Sequence, residues 1–239
     1  MYKTLFLITV LLLTSTHGQA IDPQFKFEGY FGNPTDNIQN MNSAGVAFMP
    51  YNPVIIEVGA HAGAGTRNLA STYPYGKIFA FEPNPTAYSY LVENTQSIQH
   101  VFPVQLAVNT YSGSATLWGS DAKASLLPPE NEESAITVPC VVLDEWCATQ
   151  GISHVDFLRL DAGGIEWQIL QSSPVVLGVV SVIGIKTHLS PSFRSVVSFR
   201  LLKMLVEDQG FELLSHRYVE GKEGEAIFVR KCLYDSIFD

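Results

Sequence analysis

From residue 53 onward, hydrophobic positions fall into short β-branched and aromatic runs separated by stretches of helical spacing. Residues 54–58 (VIIEV) and 77–82 (KIFAFE) are near-continuous apolar runs, the pattern of strands buried on both faces. Between them, residues 66–72 are expected to form a helix, with Thr66 near its N-cap. Pro85 and Thr86 open a second helix through Tyr90, Leu91 and Asn94, since proline fits the first helical turn. Residues 101–108 read as a third strand, 155–160 as a fourth followed by a helix over 165–170, and 179–186 as a fifth. A long amphipathic helix is expected over 195–209, with closing strands over 211–216 and 226–230. Strands alternating with helices in this way predict an α/β fold with a doubly wound, mostly parallel sheet. Residues 113–118 and 136–141 look like an extra pair of strands between the third and fourth, followed by a short helix over 144–149. The polar loop 120–134 that joins the pair is expected to be mobile.

The beginning of the chain follows a different pattern. Lys3 precedes an apolar run over 5–13 broken only by Thr9, and a short polar stretch then leads to the small residues Gly18 and Ala20. This is the three-part pattern of a secretory signal. The run is too short for a hydrocarbon core of about 30 Å, which takes about 20 residues to span. Residues 1–20 are therefore expected to be a cleavable signal peptide of an exported protein, periplasmic or secreted, or a membrane anchor if cleavage fails. Residues 21–53, rich in Asn, Gln, Pro and Gly with scattered aromatics, read as an extended lead-in segment or lid, and 54–239 as the folded domain.

Composition adds limits. At 239 residues and 46% hydrophobic, the chain can bury a core and is not intrinsically disordered. Its mean hydropathy of +0.15 comes largely from the leader, so no membrane-embedded part is expected after signal removal. The net charge of −9, which becomes −10 without Lys3, argues against nucleic acid as a partner, because phosphate binding needs a basic footprint. Cys140, Cys147 and Cys232 have no metal or redox spacing; one bridge is possible if the chain is exported, and buried or idle thiols are the other reading. No metal site is expected.

In open α/β sheets, ligands sit beyond the carboxyl ends of the strands at the switch in strand order. After the first strand comes Glu57-Val58-Gly59-Ala60-His61-Ala62-Gly63-Ala64-Gly65. A dinucleotide fingerprint would need G-x-G-x-x-G, but His61 follows Gly59 by two and Asn68 follows Gly65 by three. What fits is acid-x-Gly-x-x-x-Gly, with Glu82 ending the second strand 25 residues beyond Glu57. A carboxylate there can accept both ribose hydroxyls of a nucleoside. S-adenosylmethionine carries that ribose and no phosphate.

The runs 54–61 and 79–85 together resemble the FkbM-type S-adenosylmethionine-dependent methyltransferases, as do Leu143-Asp144-Glu145-Trp146, residues 155–161 and the closing run 226–231. The resemblance implies a seven-stranded, Rossmann-like class I methyltransferase fold with a β-hairpin inserted between strands three and four. It implies S-adenosylmethionine as cofactor and transfer to oxygen of a small-molecule acceptor, often a hydroxyl of a sugar or natural product. By position, Glu57, Gly59, His61 and Gly63 would line the cofactor loop, Glu82 would hold the ribose, and Asp161 would lie beside the methyl-sulfonium. Two positions depart from the family pattern. Its Asp-Val-Glu-Gly-x-Glu reads Asp161-Ala162-Gly163-Gly164-Ile165-Glu166 here, and Lys186 stands near the end of the fifth strand where a glutamate is usual.

Methyl transfer is an in-line displacement governed by positioning. An alcohol acceptor also needs a base within about 3 Å of its proton. Asp161, Glu166 and His188 are the candidates, although Glu166 reads equally as a first-turn helix acid and His188 as a loop histidine. His61 either stacks on the cofactor or simply replaces a polar loop residue. The alternative to an enzyme is an exported, non-catalytic binding protein that keeps the fold, a reading suggested by Gly163 and by the cytosolic origin of S-adenosylmethionine.

Overall fold

The computed structural model describes residues 48–119, 124–129, 134–188, 197–219 and 223–238. The expected leader and nearly all of the lead-in segment lie outside the described residues. The chain first lays down β1 (Val54–Val58), α1 (Ala64–Thr72), β2 (Lys77–Phe81), α2 (Pro85–Thr95) and β3 (Val101–Val104). An insertion follows, with β4 (Ala107–Val108), β5 (Gly113–Trp118) and β6 (Ala135–Val141). Helix α3 (Leu143–Thr149) leads to β7 (Val155–Leu160), α4 (Glu166–Gln171), α5 (Pro174–Val179) and β8 (Val180–His188). The chain closes with α6 (Phe199–Asp208), β9 (Phe211–Val219), β10 (Glu223–Arg230) and α7 (Lys231–Phe238).

Seven strands form the main sheet in the order β3-β2-β1-β7-β8-β10-β9. The first five in that order are mutually parallel, and β10 runs antiparallel to both β8 and β9. The chain moves outward from β1 to β3 and then returns to the other side of β1 as β7. The crevice between β1 and β7 is therefore the switch point, where a parallel sheet opens at its carboxyl end.

Both faces of the sheet are covered, which is why its strands read as continuous apolar runs. On one face Ile56, Val58, Phe81, Leu158, Leu160 and Phe228 pack with Trp146 of α3, Ile169 of α4 and Leu202 and Val206 of α6. Phe79 and Phe81 meet the Trp146 ring edge-on, with centroids 5.1 and 4.7 Å away. On the other face Ile55, Ile78, Phe157, Val182 and Ile227 pack with Leu69 and Tyr73 of α1 and with Leu233 and Tyr234 of α7.

The expected architecture holds, with local differences. The run 101–108 is not one strand. It breaks after Val104, and Ala107–Val108 joins the three-stranded sheet β4-β6-β5, whose small core is Ala107, Ala115, Leu117, Val138 and Cys140. The inserted hairpin thus gains a third strand. Loop residues 124–129, expected to be mobile, are docked: Ser125 is buried and exchanges two backbone hydrogen bonds with Trp118. Helix α5 begins at Pro174 ahead of the fifth strand and α7 follows β10 directly, two helices the hydrophobic pattern did not announce. Thr66 is not a cap; Gly63 occupies that position. All three cysteines are free thiols, Cys140 and Cys147 buried and Cys232 exposed. Among the described residues, no helix is long and apolar enough to cross a membrane, and no cluster of side chains could hold a metal ion.

Candidate active site

The switch point is built from backbone first. The amides of Gly59 and Ala60 both donate to the Phe81 carbonyl at the end of β2, and the Asp161 amide donates to the Val58 carbonyl at the end of β1. Gly59 has φ +86°, and a Cβ added there would lie 1.9 Å from the Asp161 carbonyl oxygen. Only glycine fits this turn, because a side chain would strain the backbone and push β1 away from β7. The ends of β1, β2 and β7 are thereby locked into one rim.

Glu82 ends β2 on that rim. One of its oxygens accepts the His61 amide at 2.8 Å and the other the Asn84 amide at 2.8 Å. Asn84 in turn caps α2, its side chain accepting the amides of Thr86 and Ala87. A carboxylate oxygen has lone pairs for more than one donor, so two backbone bonds fix the group and still leave acceptor capacity for a ribose diol. Burial pushes the Glu82 carboxyl up, and the two amide bonds pull it back toward the charged form. An anion such as phosphate would be repelled here, so this acceptor fits a ribose without phosphate. His61 serves this arrangement through its main chain, in the left-handed region at φ +49°.

Glu57 does something other than line the loop. It is fully buried; one oxygen takes Arg159 Nη1 at 2.6 Å and the other accepts the Thr66 hydroxyl at 2.5 Å. With no exposed surface and both oxygens held by protein partners, Glu57 supports the glycine loop from beneath. Arg159 faces Glu57 in the β1–β7 register. A Cβ on Gly65 would lie 2.6 Å from Glu57 Oε1 and 2.9 Å from Arg159 Nη1, so the small residue at the start of α1 makes room for the pair. Arg159 was missed in the sequence. The available signal was a cation in the middle of a strand buried on both faces, which requires a buried anion opposite.

Around β7 and β8 the arrangement differs. Asp161 forms an ion pair with Lys186, with Nζ 3.4 Å from Oδ1. Lys186 lies directly opposite Glu225 of β10, whose Oε1 is 3.8 Å from Arg159 Nε. Charges thus run along one face of the sheet from Glu57 through Arg159 and Glu225 to Lys186 and Asp161. Glu166 is the first residue of α4 and is buried; its Oε1 accepts the amides of Ala162 at 2.8 Å and Gly164 at 3.3 Å. Burial holds its carboxyl at about 7 despite those bonds. This is the helix-acid reading in place of the base reading, since Glu166 staples the turn after β7. His188 ends β8 in register with Glu223, beyond Lys186. Asp161 directly follows β7 at the rim of the switch point, its amide bonded to the end of β1, whereas the Glu166 carboxylate is taken up by the turn.

Gly163 also has a structural reason. Its φ is +65°, and a Cβ there would lie 2.8 Å from the Ala124 carbonyl oxygen. Its own carbonyl accepts the Ser125 hydroxyl at 2.7 Å. Glycine at this position lets residues 124–129 fold down against the β7–α4 turn.

Counted along the chain, the main sheet has strand order 3-2-1-4-5-7-6 with the seventh strand antiparallel. With a glycine turn and a second-strand carboxylate at its switch point, it has the class I methyltransferase architecture. The chain belongs to the FkbM methyltransferase family: the "Methyltransferase FkbM domain" matches residues 57–213. It is an S-adenosylmethionine-dependent methyltransferase. It is similar to the 2-O-methyltransferase NoeI of Sinorhizobium fredii, 22% identical over 73% of this chain and 78% of that protein. It is also similar to the hexuronic acid methyltransferase AglP of Haloferax volcanii, 24% identical over 56% of each chain. The fold resembles a fibrillarin pre-rRNA processing protein from Methanococcus jannaschii, with TM-score 0.52, 15% identity, and 83% of this chain and 76% of that one covered.

Proposed function

We propose that the protein transfers the methyl group of S-adenosylmethionine to a hydroxyl oxygen of a small hydroxylated acceptor of the sugar class. The observation that carries this reading is the fixed Glu82 carboxylate beside a glycine turn, with the Asp161 carboxylate on the same rim. When bound, the cofactor supplies an activated methyl group on a sulfonium. Glu82 would hold its ribose hydroxyls and the 59–61 turn would shape its bed. Asp161 would accept the acceptor's hydroxyl proton, and Lys186 keeps that carboxylate oriented toward β8. The names of the two relatives, one a 2-O-methyltransferase and one acting on hexuronic acid, support oxygen and a sugar as the target. The non-catalytic alternative loses one of its two supports once Gly163 has a structural role.

Calorimetric titration with S-adenosylmethionine tests the cofactor half. Saturable binding is expected, and Glu82→Ala should weaken it about 100-fold, the worth of two hydrogen bonds to a charged group. Unchanged affinity would remove Glu82 from the site. Methylated product with the mass gain on oxygen, lost in Asp161→Asn, is the expected result for the transfer half.

The leader at residues 1–20 is part of the same reading: we infer export, supported by the charged, apolar and small-residue pattern. Intact-mass measurement of the exported protein should show a chain starting at Ile21, and one still starting at Met1 would defeat it.

A further inference from the structure

Beside the β7–α4 turn lies a cleft of about 390 Å³ between the inserted sheet and α4, within the size range of small-molecule sites. Tyr111 and Trp118 line one side, Leu127 and Pro128 the docked loop, and Ile165 and Gln168 the helix. Among the described residues, none of the lining side chains is charged at neutral pH. The polar groups among them are amides and hydroxyls. Tyr111 is half exposed, its hydroxyl donating to the Ser114 carbonyl, which leaves the ring as an apolar plate. Gln168 Oε1 is buried and has no hydrogen-bond partner among the described residues. A buried acceptor left unpaired is costly, and a turn of the Gln168 side chain at the cleft wall would bring it to a donor held there.

We propose that this cleft binds a neutral sugar ring of the acceptor. The proposal rests on the methyltransferase reading and extends it to a subsite. A pyranose has an apolar C–H face that packs on aromatic rings and hydroxyls that donate to a buried amide oxygen. Aromatic walls with a few placed neutral polar groups match both features. A carboxylated ring would find no cation among the lining residues and would lose hydration without compensation. The cleft is connected to the proposed transfer site along the chain, since Ile165 lines it and Glu166, the next residue, staples the turn that follows Asp161. Its outer wall exists because Gly163 carries no side chain. The position where the family has an acid is here the seat of the loop that closes the cleft.

The test uses the full chain and two measurements. Cellobiose and lactose are the neutral probes and glucuronic acid the charged one, with binding followed by saturation-transfer NMR and competition. The neutral probes should bind saturably, and glucuronic acid about tenfold more weakly or not at all. Gln168→Leu keeps the shape and should lower neutral-sugar affinity about fivefold to tenfold, and Tyr111→Ala, at an exposed site, should lower it by at least as much. Both variants should bind S-adenosylmethionine as the parent does, which reports that they are folded. No saturation by either neutral probe while the cofactor binds would overturn the cleft and leave the methyltransferase reading intact. Parent-like sugar affinity in both variants would also overturn it. Sugar binding without cofactor binding would sink the methyltransferase reading and keep the cleft as a saccharide site.

Discussion

The two halves of the switch point are built by different means. At the ends of β1 and β2, backbone does the work: the Gly59 turn is bonded to β2, packed on β7 and backed by the buried Glu57–Arg159 pair. At the ends of β7 and β8, side chains dominate: Asp161 pairs with Lys186, Glu166 staples the turn, and a docked loop sits on Gly163. A site that takes one invariant cofactor gains from geometry that tolerates no change. A site that chooses an acceptor can be re-tuned one residue at a time, because loops on a rigid scaffold carry specificity. The comparison implies that substitutions in the first half should cost fold and cofactor together, and in the second half mainly turnover.

Gly59→Ala is the hardest test of that division. The added methyl meets the Asp161 carbonyl oxygen at 1.9 Å in a backbone region that favours glycine. A loss of about 3–5 kcal/mol of stability is expected, with cofactor binding below detection. Thermal melts and calorimetry read both. Gly59→Ala with normal cofactor affinity would show that the rim is softer than the backbone bonds imply.

Next in size is Arg159→Met. It strands the buried Glu57 carboxylate and takes the guanidinium away from Glu225, a loss of about 3–5 kcal/mol. The double variant Glu57→Gln/Arg159→Met should recover part of it, since it removes both charges of the closest pair while Glu225 still lacks the guanidinium. Chemical denaturation of the three variants measures this. Equal losses in the single and double variants would mean that packing, and not charge, holds the loop.

The same division explains what could be read from the chain. The apolar runs 54–58, 77–82 and 155–160 are legible because both sheet faces are buried, and Gly59 and Glu82 because sequence spacing maps onto neighbouring strand ends. Arg159 shows in the sequence only as a cation inside an apolar strand; its partner is a matter of register, Glu57 facing Arg159 across β1 and β7, and the register between strands about 100 residues apart is not written locally. Gly163 was visible as a departure and was read as a missing acid. Its real content, a close approach to Ala124, depends on a loop whose docking no periodicity announces. Glu166 looked equally like a base or a helix acid until its two amide partners were in view.

Glu166 also gives the second half a pH signature. Its carboxyl sits at about 7 in the fold against an ordinary 4.5, so the folded state holds a proton that the unfolded chain has released. The resulting stabilisation is fully present below pH 4.5 and is lost as pH rises through 7. The glutamine variant Glu166→Gln keeps an acceptor for the Ala162 and Gly164 amides and carries no titrating proton. Relative to it, the parent should lose about 3 kcal/mol or less between pH 4.5 and pH 8. The difference isolates Glu166 from Glu57, Glu82 and Glu225, which burial also raises. Parallel melting curves across that range would mean that Glu166 is charged throughout and that the turn is held electrostatically.

The smallest effect is expected at Lys186, and it separates the halves most cleanly. Lys186 and Asp161 are both about a third exposed and 3.4 Å apart, so solvent screens the pair and its loss leaves stability nearly unchanged. Lys186→Met should keep cofactor affinity and lower kcat/KM by up to about fivefold, because Asp161 loses its tether while the β1–β2 rim is untouched. Lys186→Glu restores the residue type usual at this position, yet it should do worse. Glu225 lies directly opposite in the β8–β10 register and Asp161 lies beside it, so a third carboxylate would repel both. An improvement in Lys186→Glu would show that the acceptor half waits for its missing acid; a further loss would show that Lys186, Glu225 and Asp161 have settled into a different and self-consistent arrangement of charge.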